Sequence, residues 1–514
     1  MMADAVSAPE RWCAGLRRWQ RLLLAALAGA LITAGHPPIG LPWTIFLSLP
    51  ILVWLMQVAP IGRAAAWVGW AAGFGYFVTS LHWVGNAFLV DPDRFLLLLP
   101  LGVLGLPAGL ALFWALAFWI ASKVRVSGWR AALTLATLLS VVELARGYVL
   151  TGFPWALPGY IWLDTPLMQA ASWAGPFGLT VFTLLLGAVP LVSGLRNEVS
   201  PAVIAVACFA MLWLAGSVRV NSHIEQDPDR PLFRLVQPNA PQHLKWEPGY
   251  REDFYQRLLT ATAAPSRIES AKPDLFIWPE MAVHFVPAEN PTEVIRIAEA
   301  ADDAPVILGA FHREIRDGRE YLANAFHTVL PDGSLGPRYD KHHLVPFGEY
   351  MPLVGLLGRL GLPDFSQGVG FARGDGPKTL HLPGLPSFSP NICYESIFPY
   401  EVVGGERPEW IAQITNDAWF GSFAGPQQHL AQARFRAVEQ GLPVVRATNT
   451  GISAMIDSYG RVVASIEMHN YDRLDVRLPE ALPPTLYSIV GDISCTLLLL
   501  GMSFFILQMY LRSR

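Results

Sequence analysis

One cysteine in polar surroundings is the first residue equipped for chemistry. Cys393 stands in Pro390-Asn391-Ile392-Cys393-Tyr394-Glu395-Ser396, after an extended-looking run and before Ile397 to Val402, which read as a short helix. A strand-to-helix turn would present the sulfur to backbone N–H groups, whose positive potential favours the thiolate. The plainer alternative is a structural cysteine packed as a small hydrophobe. Cys13, Cys208 and Cys495 lie in or beside apolar runs, so none of them competes for the role.

A nucleophile needs a base and a group to hold the developing oxyanion. Glu280 ends the run Asp274-Leu275-Phe276-Ile277-Trp278-Pro279-Glu280, where an apolar strand delivers a carboxylate just after a proline that stops the ladder. Such a carboxylate could carry a proton between thiol and leaving group. A turn glutamate at the surface is the alternative. Lys341 lies in Tyr339-Asp340-Lys341-His342-His343-Leu344-Val345-Pro346-Phe347-Gly348-Glu349-Tyr350. Its ammonium would stabilise a tetrahedral oxyanion, with Glu349 holding it in place, unless it is a solvated lysine of a charged turn. Two histidines beside it suggest a metal, but adjacent strand residues face opposite ways and no nearby spacing supplies a third ligand, so no metal site is expected.

These residues sit in an unusual chain. Of its 514 residues 52% are hydrophobic and 15% charged, and the mean hydropathy is +0.35. A net charge of -4 offers no basic field for nucleic acid, and so apolar a composition excludes a disordered chain. About 20 apolar residues cross a bilayer core, and eight stretches meet or approach that: Leu22 to Gly35, Trp43 to Val58, Ala64 to Val84, Phe95 to Ala121, Ala131 to Val149, Leu167 to Val192, Pro201 to Val218 and Leu486 to Leu511. The first could be a cleaved signal peptide. Six further spans follow it immediately, however, and a retained helix fits their parity. With the N-terminus cytoplasmic, eleven Lys and Arg residues of the short segments, among them Arg17, Arg18, Arg21, Lys123, Arg125 and Arg130, fall inside, against Arg94 and Arg146 outside. The positive-inside rule therefore places both termini in the cytoplasm and the long polar segment outside, in the periplasm of a bacterial cell. Cys393 has no second cysteine there to pair with in an oxidising compartment.

The expected organisation is a membrane domain of about seven helices over 1–220, an outer domain over 221–485, and a last membrane helix over 486–514. The outer segment reads as α/β. Strand-like runs occur at Leu232 to Val236, Leu275 to Trp278, Val306 to Ala310, Ala325 to Leu330, Ile411 to Thr415, Val444 to Ala447 and Ser453 to Ile456; helical patterns cover Tyr250 to Ala264, Thr292 to Ala301 and Gln427 to Gln440. About 265 residues suffice for a core of their own.

Taken together, the Glu280, Lys341 and Cys393 passages, about 60 and 50 residues apart, resemble in sequence and order the motifs of the carbon-nitrogen hydrolase (nitrilase) superfamily. A domain of that kind inserted between seven upstream spans and one downstream span is similar to the apolipoprotein N-acyltransferase family. Val236-Gln237-Pro238-Asn239, Lys245-Trp246 and Thr415-Asn416-Asp417-Ala418-Trp419-Phe420 extend the resemblance over the whole chain. Asn391 departs from it, since a small residue such as glycine is expected two positions before the nucleophile.

The resemblance implies a polytopic α-helical membrane protein of about eight spans carrying an α-β-β-α sandwich. It also implies a ping-pong reaction without cofactor or metal. Cys393 would take an acyl chain from a phospholipid as a thioester, Glu280 would act as base, and Lys341 would stabilise the oxyanion. The α-amino group of the diacylglyceryl-cysteine of an apolipoprotein would then accept the chain. Glu349 and Glu395 would be supporting carboxylates, and Trp246 and Tyr394 substrate-lining or loop-packing aromatics. The alternatives are a membrane-anchored amidase acting on a soluble substrate, and a transporter or scaffold with an inert outer domain. Tyr350 to Leu362, apolar and glycine-punctuated, is expected to be a lid dipping into the membrane, with Trp419 to Gly425 as a second candidate. Glu143 and Arg146 are expected near the interface, anchoring a helix or touching a headgroup.

Overall fold

The computed structural model describes residues 7–196, 198–221, 227–268, 271–316, 319–350, 352 and 371–512. Most of the proposed Tyr350 to Leu362 lid lies outside the described residues. The chain divides into two compact units, Met1–Ser222 with Phe423–Ala431 and Pro484–Arg514, and His223–Ser422 with Gln432–Pro483.

The first unit is helical, and a helix occupies each of the eight apolar stretches: Arg18–Thr33, Ile45–Val58, Arg63–Ser80, Leu106–Val124, Gly128–Tyr148, Ala171–Gly194, Val199–Val220 and Ile493–Arg512. Among the described residues, five apolar helical stretches, Pro92–Val124, Gly128–Tyr148, Pro166–Gly194, Val199–Val220 and Ile493–Arg512, are long enough to cross a membrane by length and composition. The fourth expected span is regular only from Leu106 onward, with a single turn of π-helix before it at Leu101–Gly105. Small residues let helices approach closely where lipid provides no hydrophobic drive: a Cβ on Gly29 would meet the Ala72 carbonyl oxygen at 1.9 Å, and one on Gly75 that of Ala26 at 2.0 Å.

Glu143 and Arg146 lie toward the C-terminal end of their helix. Both are buried in helix Gly128–Tyr148, ion-paired to each other, and neither is free to meet a headgroup. Trp114 Nε1 donates to Glu143 at 2.8 Å, and the guanidinium donates to the carbonyls of Phe153 and, at 3.0 Å, Trp155. Charges that far from water survive only when paired and hydrogen-bonded, and these fasten the segment after the helix to its last turn.

The second unit is built on two sheets. The first comprises β1 (Leu232–Gln237), β2 (Leu275–Ile277), β3 (Val306–Arg316), β4 (Arg319–Val329), β5 (Tyr339–Asp340) and β11 (Asp472–Arg477), in the order β11-β1-β2-β3-β4-β5. The second comprises β6 (Phe388–Ile392), β7 (Trp410–Thr415), β8 (Val444–Thr448), β9 (Ser453–Ile456) and β10 (Val462–Ile466), in the order β10-β9-β8-β7-β6. Alternate residues along a strand face opposite sides. Phe233, Leu235, Leu275, Ile277 and Ile307 of the first sheet accordingly share one core with Phe388, Ile392, Trp410, Ile414 and Val445 of the second. The intervening Val236, Phe276, Trp278 and Leu308 join a second core with α1 (Arg251–Ala263) and α2 (Pro291–Ala301).

All seven expected strands are present. The third and fourth run longer than expected because they form one antiparallel hairpin, Val306 opposite Val329 through Arg316 opposite Arg319. The helical patterns correspond to α1, α2 and Gly425–Gln440. Ile397 to Val402 form no helix. The helical turn comes earlier, as a 3-10 segment Cys393–Ile397, and turns and bends follow it.

Candidate active site

Each chemical group sits where a strand ends. Pro279 has no N–H to continue β2, and the chain turns sharply, with Met281 at φ +49°. Trp278 N–H still pairs with the Ile307 carbonyl at 2.8 Å, and Gly309 then brackets the turn, its N–H donating to Pro279 and its carbonyl accepting from Ala282. Only glycine allows this approach, since a Cβ there would lie 2.6 Å from Cα of Glu280.

The carboxylate so delivered is buried and held from three sides. Asn324 Nδ2 donates to Oε1 at 2.7 Å, the backbone N–H of Asn416 donates to Oε2 at 2.9 Å, and Lys341 Nζ lies 3.5 Å from Oε1. Lys341 follows β5 and its N–H pairs with the carbonyl of Asn324 at 2.8 Å, so one asparagine of β4 sets both the lysine backbone and the glutamate side chain. Lys341 Nζ donates to Glu349 Oε1 at 2.8 Å. Glu349 closes its own turn by accepting from the N–H of Val345 at 2.8 Å. Burial pulls the lysine pKa down, but the carboxylates of Glu349 and Glu280 outweigh it and hold the ammonium above its ordinary value. The two carboxylates thus favour the charged form of Lys341.

Cys393 directly follows β6 with φ +51°, a conformation that non-glycine residues adopt mainly where surrounding structure imposes it. The thiol is buried, 7% exposed, and interacts electrostatically with both Glu280 and Lys341. Burial pushes its pKa up, Glu280 adds to that, and Lys341 and a hydrogen bond from Thr415 only partly offset them. The expectation of an exposed, helix-activated thiolate is thus corrected. Burial and the neighbouring carboxylate favour the protonated thiol, so the sulfur needs a base at the moment of attack. Asn391 causes no disturbance: its amide donates to the Val402 carbonyl at 3.0 Å, beside the Ser389 hydroxyl at 2.7 Å.

Glu395 joins the passages. Fully buried, it accepts from the N–H groups of His342 at 2.7 Å and His343 at 3.2 Å and from the Tyr339 hydroxyl at 2.8 Å; its other oxygen accepts from the N–H of Ile392 at 2.7 Å. One side chain ties the Lys341 passage to the strand carrying Cys393. Burial alone would raise its pKa, but His342 and these donors hold it below the usual carboxylate value.

Glu280, Lys341, Glu349, Cys393 and Glu395 therefore converge. The two predicted aromatics stand apart from their hydrogen bonds. Tyr394 packs edge-on against His343 and Phe398. Trp246, 40% exposed, lines a narrow cleft with Lys245, Pro279, Met281 and His284. Asn324, Thr415 and Lys245 were missed as site residues. Lys245 is buried, donates to the Glu280 carbonyl at 3.2 Å, and burial lowers its pKa to about 8, Glu280 opposing. Asn324 could have been found as a lone amide in the apolar run Tyr321 to Leu330, since a buried strand leaves no other use for one.

The model of the apolipoprotein N-acyltransferase N-terminal domain matches residues 28–189, and that of the carbon-nitrogen hydrolase domain matches residues 234–470. A protein of Rhodopseudomonas palustris named apolipoprotein N-acyltransferase is 39% identical over 93% of each chain. Those of Bradyrhizobium diazoefficiens (40%, 93% of each chain) and Brucella melitensis (38%, 94% of each) carry the same name. The chain belongs to the apolipoprotein N-acyltransferase family. A CN-hydrolase superfamily protein of Xanthomonas campestris is 19% identical over 52% of this chain and 96% of that one, with a TM-score of 0.35. Membership of the apolipoprotein N-acyltransferases makes this a multi-pass membrane acyltransferase with a carbon-nitrogen hydrolase domain, and the relatives that match along the whole chain do not carry the amidase alternative.

Proposed function

We propose that the chain transfers an acyl group from a phospholipid to the α-amino group of the N-terminal diacylglyceryl-cysteine of apolipoproteins, through a thioester on Cys393. The observation that carries this reading is a buried thiol set among a buried carboxylate and a buried lysine in one water-poor site. Glu280 takes the thiol proton as the sulfur attacks the ester carbonyl carbon, and the oxyanion forms against Lys341. Collapse breaks the ester C–O bond, and the proton on Glu280 passes to the leaving oxygen, releasing a lysophospholipid. In the second half the neutral amine attacks the thioester, Glu280 accepts its proton, and collapse returns the thiol while an amide leaves. Glu349 and Glu395 act as positioning residues, and Trp246 lines the approach to Glu280.

In this reading residues 1–220 and 486–514 are membrane domain with both termini cytoplasmic, and residues 221–485 face the periplasm of a bacterial inner membrane, as the basic residues of the short loops favour. A membrane-impermeant maleimide should then label a cysteine placed at exposed Ser334 in spheroplasts, and one at Arg125 only after lysis; the reverse pattern would refute the orientation. For the chemistry, purified protein is incubated with phospholipid alone and weighed intact. A hydroxylamine-labile, acyl-sized mass on the wild type, absent from Cys393→Ala and matched by lysophospholipid release, supports the scheme. Cys393→Ala retaining full transfer activity would end it.

A further inference from the structure

His342 and His343 are the part of the Lys341 passage that acyl transfer leaves unused. They follow β5 in chain that is neither strand nor helix, so strand alternation does not force their rings to opposite sides. Nε2 of His342 lies 3.2 Å, and Nδ1 of His343 2.7 Å, from the same oxygen of Glu401. All three ligand atoms lie within 4.8 Å of one another. A third candidate ligand atom, outside the local spacing, thus comes from 58 residues beyond His343. A tetrahedral cation bound at about 2.0–2.1 Å holds its ligand atoms roughly 3.3 Å apart. The cluster needs only small shifts to reach that geometry.

The rings are already aimed. The far nitrogen of His342, Nδ1, meets Glu395 Oε1 at 2.7 Å and the Tyr339 hydroxyl, the carboxylate-behind-histidine arrangement that orients metal ligands. His343 is stacked face to face on Phe398, ring centroids 3.7 Å apart. Glu401 is the most open of the three, its side chain 24% exposed, which leaves a side for entry and for water as fourth ligand. Two imidazoles and one carboxylate suit a late first-row dication better than magnesium or calcium.

We propose that His342, His343 and Glu401 bind one divalent cation of the zinc class, clamping the passage that carries Lys341 to the turn that follows Cys393. The cation would act on positioning and stability and takes no part in acyl transfer. The test uses the untagged full-length protein in detergent, stripped with chelator and titrated with cobalt(II), then zinc(II). The expected result is one cobalt per chain with the visible absorption of a tetrahedral site, displaced by zinc, together with a zinc-dependent rise in melting temperature. Glu401→Gln and His343→Ala should lose both signals, while His381→Ala, which removes an exposed histidine 3.3 Å from Glu406, should keep them. If the wild type takes up no cobalt, or the two variants take up as much as the wild type, the cluster is a hydrogen-bonded one and the proposal falls. The wild-type titration decides even if a variant does not fold.

Discussion

The molecule contains two buried clusters of charge that look alike in composition and differ in what they can do. In helix Gly128–Tyr148, Glu143 and Arg146 satisfy each other, Trp114 and the carbonyls of Phe153 and Trp155. Every partner is a fixed part of the same fold. Around Cys393, by contrast, Glu280, Lys341 and Glu349 are held as firmly, but they surround a thiol that can still give up its proton. A buried ion pair is weak evidence for function or for stability by itself. What separates the two clusters is a nucleophile whose ionisation the neighbours control.

The contrast can be broken by mutation, and the largest effect expected is on chemistry. Cys393→Ala should abolish thioester formation and lower transfer by about a thousandfold or more, with melting temperature little changed; a comparable loss of stability would make Cys393 a packing residue. Removing a partner in the other cluster should do the opposite. Glu143→Ala strands the Arg146 guanidinium and should destabilise the protein by about 3–5 kcal/mol, read as a fall in melting temperature in detergent, while folded protein keeps its thioester chemistry.

Two smaller changes sharpen the picture inside the catalytic unit. Gly309→Ala forces the Glu280 turn outward, because the new Cβ would stand 2.6 Å from Cα of Glu280. Asn324→Ala removes one amide donor from Glu280, at 2.7 Å, and from Glu349, at 3.3 Å. Each should lower kcat about 10- to 100-fold with KM nearly constant, and a pure KM effect would assign both residues to substrate binding instead. The smallest effect concerns pH. Folding lowers the Lys245 pKa from 10.5 to about 8, so between those values the unfolded chain holds a proton that the folded one has released. Stability from this group therefore rises with pH across that window. Lys245→Met should lack the rise and melt a few degrees higher than wild type below about pH 8; parallel profiles would show that the ammonium is not desolvated.

Elements with a strong period were legible. The strands β1, β2, β7, β8 and β9 carry β-branched and aromatic residues between turn signals, and α1 and α2 carry helical spacing, so local preference and final structure agree. Four strands were not among the expected runs: β5, only two residues long, β6, whose central Pro390 and Asn391 left it merely extended-looking, and β10 and β11, whose residues are largely exposed or half-buried and present no apolar run to read. The misplaced helix after Cys393 has another cause. Its residues were apolar enough for a helix, but the hydrogen bond of Ile392 to Glu395 winds the turn earlier and tighter.

Chemical identity was in the sequence: a glutamate after a strand-ending proline, a lysine in a charged turn and a cysteine after an apolar strand are properties of neighbours in the chain. The eight apolar stretches are of the same kind, because hydropathy sums over consecutive residues. Tertiary structure decided which charges meet. Asn324 reaches Glu280, Glu395 crosses to the backbone of His342 and His343, and Glu401 stands before both imidazole rings. It also decided the resting state of the thiol, since desolvation and the sign of the nearest charge depend on what packs around a group, not on what precedes it in the chain.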